Sequence, residues 1–302
     1  MSAYIQTIIF GLTLGGLYAL MASGLTLVFG VMRIVNLAHS VFILMAAYLS
    51  YVLFTEYDID PILSILVNFP VMFLFGVFVY RLVLSHEVEN PRYAEITVLL
   101  TFAIALIAEG VLGEIFTGTN RSTRPDYTTE VYFVRDYLGF LFPDSNVFIP
   151  KAQFYAAILS LGIITGTWAF LQYSRMGYAI RATTQNRAAA QVVGVNVQTV
   201  STFTFGLGTG MAGAAGALFS FIVPFFPSEH WRWIALMLSL IVLGGMGKLM
   251  GAVVGALLLA VASALVSREL GPTWSPLTFY LSLFVILLVR PQGLFGKKRE
   301  MV

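Results

Sequence analysis

Long apolar runs, separated by short polar breaks, decide what this chain can become. They fall at about 7–30, 40–54, 61–84, 94–116, 152–173, 199–223, 233–247, 249–267 and 275–290. A helix needs roughly 20 apolar residues to cross a hydrocarbon core of about 30 Å. Only 11% of the 302 residues are charged, against roughly 25% in a soluble domain. The reading is an all-α, polytopic membrane protein forming a single domain over 1–302, with about eight or nine transmembrane helices. The runs 40–54, 233–247 and 275–290 are short for a full crossing. They are candidates for broken or re-entrant helices, which are tolerated where backbone lines a cavity. The first ten residues lack the basic region of a signal peptide, so the chain start reads as the first span.

Several function classes drop out on composition. Seventeen basic and fifteen acidic residues give a net charge of +2, too balanced for nucleic-acid binding. The chain has no Cys, and its three His residues (His39, His86, His230) are far apart in sequence, which argues against a metal site. GGMGK at 244–248 lacks the GxxxxGK[ST] phosphate loop, and no catalytic Ser/His/acid set is recognisable. No catalytic residue is assigned, and an enzymatic function residing in this chain is not expected.

Lys and Arg are retained on the cytoplasmic side of membranes. With the N-terminus outside and alternating spans, that side receives eleven of them: Arg33, Arg81, Arg92, Arg175, Arg181, Arg187, Lys248, Arg290, Lys297, Lys298 and Arg299. The outside receives six: Arg121, Arg124, Arg135, Lys151, Arg232 and Arg268. An N-out, C-in topology follows.

Two loops are long. The outer segment 117–150 contains TTEVYFVRDYLGF, with strand-like aromatic and β-branched content; a small folded cap containing a hairpin and a plain connector are both open readings. On the inner side, 174–198 reads SRMGYAIRATTQNRAAAQVVGVNVQ. Thr183 or Thr184 would cap a helix of roughly ten residues through the Ala-rich run, ending at Gly194. Such a helix is too short and polar to span, and it would offer Ala188, Ala189, Val192 and Val193 to a partner or to the membrane surface.

Ionisable groups inside a membrane are costly, so each is a functional candidate. Glu109 is one, either in transport or as a hydrogen-bonded structural carboxylate. Asn36, His39 and Ser40 lie where the chain turns at the surface or breaks inside the membrane; an internal break would offer polar groups and freed backbone to a solute. GxxxG spacing at Gly11/Gly15, Gly162/Gly166, Gly206/Gly210, Gly247/Gly251 and Gly251/Gly255 permits close helix approach. In GLGTGMAGAAGAL, 206–218, small residues occupy nearly every helix face.

Four collinear blocks resemble one family. GLTLGGLYALMASGLTLVFGVMRIVNLAHSVFILMAAY, GYAIRATTQNRAAAQVVGVNV, FGLGTGMAGAAGAL, and LGGMGKLMGAVVGALLL running on to VRPQGLFG are similar to the LivH-type permeases of branched-chain amino-acid ABC transporters. The resemblance spans Gly11 to Gly296. It departs in the signature VNLAHS, where Leu37 replaces the usual Phe and Ser40 the usual Gly, so solute preference can differ. The compact length favours the LivH type over the longer LivM type.

This resemblance implies a permease subunit of an ABC importer in a bacterial inner membrane. Its implied partners are a second, LivM-like permease, two cytoplasmic ATPases (LivG/LivF-like) and a periplasmic solute-binding protein that docks on the outer cap. No cofactor is implied in this chain; ATP and Mg would act in the ATPases. The 174–198 segment becomes a coupling element, with Arg181, Ala182, Asn186, Ala189, Ala190 and Gly194 at matching positions and Arg181 or Arg187 as an anchor. Asn36, His39, Ser40 and Glu109 become translocation-path candidates, and Gly206, Gly210 and Gly213 packing points on a moving helix. Branched-chain or other hydrophobic amino acids lead as solutes, with urea, short amides and aromatic carboxylates as family alternatives. A stand-alone channel or secondary transporter for a small solute such as urea is the competing reading.

Overall fold

The computed structural model describes residues 2–88, 90–138, 147–290 and 292–295. The basic tail Lys297, Lys298 and Arg299, and Gly296 at the end of the resemblance, lie outside the described residues.

Among those residues the chain is helical apart from one short hairpin. The helices are α1 (Ser2–Met32), α2 (His39–Tyr57), α3 (Pro61–Val79), α4 (Tyr93–Phe116), α5 (Val134–Leu138), α6 (Lys151–Tyr173), α7 (Arg175–Gln185), α8 (Arg187–Val192), α9 (Val197–Ile222), α10 (His230–Gly244), α11 (Leu249–Leu270) and α12 (Ser275–Val289). Eight segments are long and apolar enough to cross a membrane; α10, at 15 residues and about 22 Å, is the short ninth. Of the three short runs, 40–54 and 275–290 gain length in the structure. The first becomes the 19-residue α2, and the second is extended by the turn Pro272–Trp274 to 18 residues.

Helix α9 occupies the centre, surrounded by α1, α2, α3 and α6. Its small residues permit this, because a Cβ on Gly216 would lie 2.2 Å from the Ile43 carbonyl oxygen of α2. A Cβ on Gly213 would lie 2.6 Å from the Asn68 carbonyl oxygen of α3. The α1–α11 pair uses the same device, since a Cβ on Gly11 would lie 2.7 Å from the Val261 Cα. Dispersion between closely approaching backbones replaces the hydrophobic effect, which lipid removes as a force between helices.

The two ends of the bundle are built differently. At one end, β1 (Val131–Phe133) pairs antiparallel with β2 (Phe148–Pro150), so of the two open readings the hairpin is found, while residues 134–138 of its aromatic stretch form the helix α5. Gln6 locks the hairpin to α1, donating to the Phe148 carbonyl at 2.6 Å and accepting from its N–H at 2.8 Å. Arg121 forms a bridge with Phe225, and Tyr127 donates to Asp60 at 3.2 Å. Burial, reinforced by the Asp60 charge, pushes the Tyr127 phenol up, which keeps it a donor.

At the opposite end lie Arg33, the 174–198 segment and the tight turn 245–248, where a Cβ on Gly247 (φ +83°) would lie 3.1 Å from the Gly30 Cα. The chain's last described residues are tied there, Leu294 N–H donating to the Leu243 carbonyl at 2.8 Å and Lys248 to that of Phe295.

Candidate functional site

The chain leaves α1 at Arg33, which adopts a left-handed φ of 55°, then turns back into the bundle as an irregular stretch, 33–38. Its depth is fixed by two contacts. Leu37 N–H donates to Thr101 Oγ1, eight residues inside α4, at 3.2 Å. His39 Nε2 lies 3.0 Å from the Met21 carbonyl, eleven residues or about 16 Å back from the end of α1. Helix α2 therefore starts inside the bundle. Of the two readings of NLAHS, the internal break is the one found.

Asn36, His39 and Ser40 are all buried. Asn36 Oδ1 accepts from the Ala38 N–H at 3.1 Å, while its Nδ2 has no partner among the described residues. His39 donates from Nε2 to Met21 if that nitrogen carries the proton, leaving Nδ1 unpartnered as well. Each such buried polar group costs about 1–3 kcal/mol and persists where function or a small molecule compensates it.

Ser40 leads elsewhere. Its Oγ is 3.4 Å from His230 Nδ1, His230 Nε2 is 3.2 Å from Glu109 Oε2, and the Trp231 indole N–H donates to the same oxygen at 2.9 Å. Donors and acceptors match along this path when His230 is neutral with its proton on Nε2. Four residues from three helices thus form one polar relay. His230 is fully buried, whereas the Glu109 side chain is 24% exposed.

The relay joins two broken elements. Helix α10 begins at His230 with no side-chain cap, and α2 likewise begins uncapped after Ala38. The first turns of both meet at the Ser40–His230 contact, and from there α2 runs to the hairpin end and α10 to the 245–248 turn. The positive ends of both helix dipoles therefore lie at this contact. Discontinuous helices of this kind line solute sites in transporters.

Of the four path candidates, the structure links Ser40 and Glu109 through His230, while Asn36 and His39 line the neighbouring break without bonding to the relay. His230 was missed in the sequence because its partners are 190 and 121 residues away. The available signal was α10's shortness, which puts its first residue inside the bundle.

The 174–198 segment differs from its expected single helix. Thr183 and Thr184 are not caps: both hydroxyls bond back to carbonyls within α7. Asn186 breaks the helix with an extended backbone and caps α8, accepting from the Ala189 N–H at 3.0 Å. Three short polar caps start the three helices here, Ser174, Asn186 and Asn196, each worth about 1 kcal/mol. Gly194, at φ +87°, ends the turn after α8 as expected. Ala188, Ala189, Val192 and Val193 are exposed, Val192 at 88%.

Ala190, by contrast, is buried and faces its own subunit. Arg181 is engaged internally, bonding to the Leu171 carbonyl and to Gln172 Oε1 and stacking over Tyr178. Ala182 sits partly buried on α7, and Arg187 lines a cleft with Arg33, Thr183 and Asn186.

Gly206, Gly210 and Gly213 all pack on α3. Gly162 and Gly166, on α6, have nothing within 4 Å of an added Cβ, so that pair makes no helix contact within the described residues.

A family model described as the permease component of branched-chain amino acid transport systems matches residues 7–289. The high-affinity branched-chain amino acid transport system permease protein LivH of Salmonella typhimurium is 26% identical over 297 residues, covering 97% of this chain and 96% of the relative. A probable branched-chain amino acid transport permease protein LivH of Methanocaldococcus jannaschii is 26% identical, with 93% and 89% covered. The permease protein LivM of Escherichia coli is 28% identical over 52% of this chain and 36% of its own length. No solved structure matches. The full-length match to LivH proteins agrees with the type inferred from the sequence blocks.

Proposed function

Because the chain belongs to the permease family of branched-chain amino acid transport systems, we propose that it is one transmembrane subunit of an ATP-driven importer for branched-chain or related hydrophobic amino acids. The observation that carries this reading is the family match over 7–289. It is supported by the internal break, where α2 and α10 begin inside the bundle and bring Ser40, His230 and Glu109 together. The multi-pass bundle sits in the bacterial inner membrane with the hairpin end outside and the Arg33–Lys248 end in the cytoplasm. Eight of the fourteen Lys and Arg among the described residues gather at that second end.

In this reading a second, LivM-like permease completes the pathway, a solute-binding protein docks at the 117–150 cap, and two ATPases bind α7 and α8. ATP and Mg act in those ATPases. The exposed face Ala188, Ala189, Val192 and Val193 is small enough for close seating in a partner's cleft, and Arg187 beside it supplies charge-assisted bonds. Rocking of α7–α8 would be transmitted to α9 across the short 193–196 connection and would switch access, a rigid-body transition of a kind known in transporters. Asn36, His39, Ser40 and Glu109 line the solute's route, while Gly206, Gly210 and Gly213 allow α9 to shift against α3.

The test is transport in proteoliposomes holding this permease with its four partners. ATP enclosed with the ATPases, and loaded binding protein outside, should drive labelled leucine inward against its gradient. Uptake by this chain alone, without ATP, would make it a channel or secondary carrier instead.

A further inference from the structure

An ionised carboxylate within a membrane-spanning helix is expensive, and Glu109 on α4 is held by an uneven set of bonds. Both its donors, the Trp231 indole N–H at 2.9 Å and His230 Nε2 at 3.2 Å, fall on Oε2. Among the described residues Oε1 has no hydrogen bond, and no Lys or Arg pairs with the carboxylate. The group is also not sealed in, since a quarter of its side chain is exposed.

It sits at the edge of the packed face of α4, beside exposed Phe102, whose ring packs 5.4 Å from that of Trp231. The carboxylate keeps Oε2 fixed and leaves Oε1 without a bond among the described residues, at the depth where the Ser40–His230 contact joins α2 to α10.

We propose that Glu109 is the recognition point for the α-ammonium group of the transported amino acid, with His230 and Trp231 as the positioning residues that hold its carboxylate. The inference rests on the importer reading above and names the chemical group that this site selects. An ammonium donates three hydrogens and carries a full charge, which suits a carboxylate with one free oxygen. Ser40, through His230 Nδ1, fixes the imidazole so that its N–H points at Glu109. A neutral solute such as urea offers N–H donors to this oxygen but no positive charge.

The experiment uses the complete five-part complex in proteoliposomes and reads labelled leucine moved per ATP hydrolysed. For Glu109→Gln, loss of one charge-assisted bond should lower this ratio about tenfold, and Glu109→Asp should recover part of it. Uptake and ATP hydrolysis falling together at a constant ratio would show a structural role and overturn the proposal, as would an unchanged ratio. If Glu109→Gln does not assemble, Trp231→Phe removes the indole N–H while keeping a ring. It should lower the ratio about threefold, and an unchanged ratio overturns the assignment. A wild-type complex that accumulates urea or acetamide but not leucine would instead remove the amino-acid solute on which the proposal rests.

Discussion

Helices α9 and α4 are of similar length, 26 and 24 residues, yet they occupy opposite places. The most apolar window of α9 is 94% buried with a mean hydropathy of 1.4; that of α4 is 22% buried with 2.2. The central helix is the less hydrophobic one. In water the order would be reversed, but lipid tails are as apolar as Leu, so apolar side chains gain nothing by turning inward. The interior is earned by small residues that let backbones touch, and the rim is left to Leu, Ile and Phe.

The sharpest way to break this contrast is to put the same side chain on both helices. Gly216→Leu drives a side chain into the α2 backbone, where even a Cβ has 2.2 Å. Overpacking of that kind costs several kcal/mol, so the variant should be lost from the membrane or aggregate on detergent extraction. Gly110→Leu on α4 meets nothing within 4 Å and should extract as a monodisperse peak with a Tm within a few degrees of wild type, about the effect of a surface change. Equal behaviour of the two would dissolve the distinction.

The same inside–outside contrast recurs in miniature on α8, between neighbouring alanines. Ala190→Glu buries a charge against its own subunit and should lower the thermal midpoint in detergent sharply. Ala189→Glu, at the exposed position, should leave that midpoint nearly unchanged while reducing ATP-driven uptake by about tenfold or more, because it blocks the seating of a partner. Undiminished uptake by Ala189→Glu would remove the coupling role from this face.

Smaller effects probe the broken core. His39→Ala removes the bond to the Met21 carbonyl and opens a void beside Gly24, so uptake should fall several-fold with the ATPases still bound on a pull-down. An unchanged uptake rate would confine His39 to packing. Asn186→Ala removes one cap and should cost about 1 kcal/mol, visible as faster exchange of the Ala189 amide with deuterium and little else.

Hydropathy made the spans legible, with ends displaced by up to five residues, because a run of apolar side chains bounded by charge has one outcome in a bilayer. The density of small residues at 206–218 likewise pointed to a helix contacted on several sides. Depth was not legible. Nothing local to Asn36 separates a surface turn from an internal break; Thr101 and Met21, on two other helices, decide it. The relay was hidden for the same reason, since Ser40, Glu109 and His230 meet only after three helices pack. The α7–α8 break was missed because Asn186 was read as part of an Ala-rich helix, while its side chain caps the helix that follows.

The central claim, that this chain is one subunit of an ATP-driven assembly, is tested most directly by affinity purification from native membranes in mild detergent, followed by mass spectrometry of the co-eluting proteins. The account predicts two ATPases and a second permease in fixed ratio to this chain. Recovery of this chain alone, reproducibly and in several detergents, would contradict it.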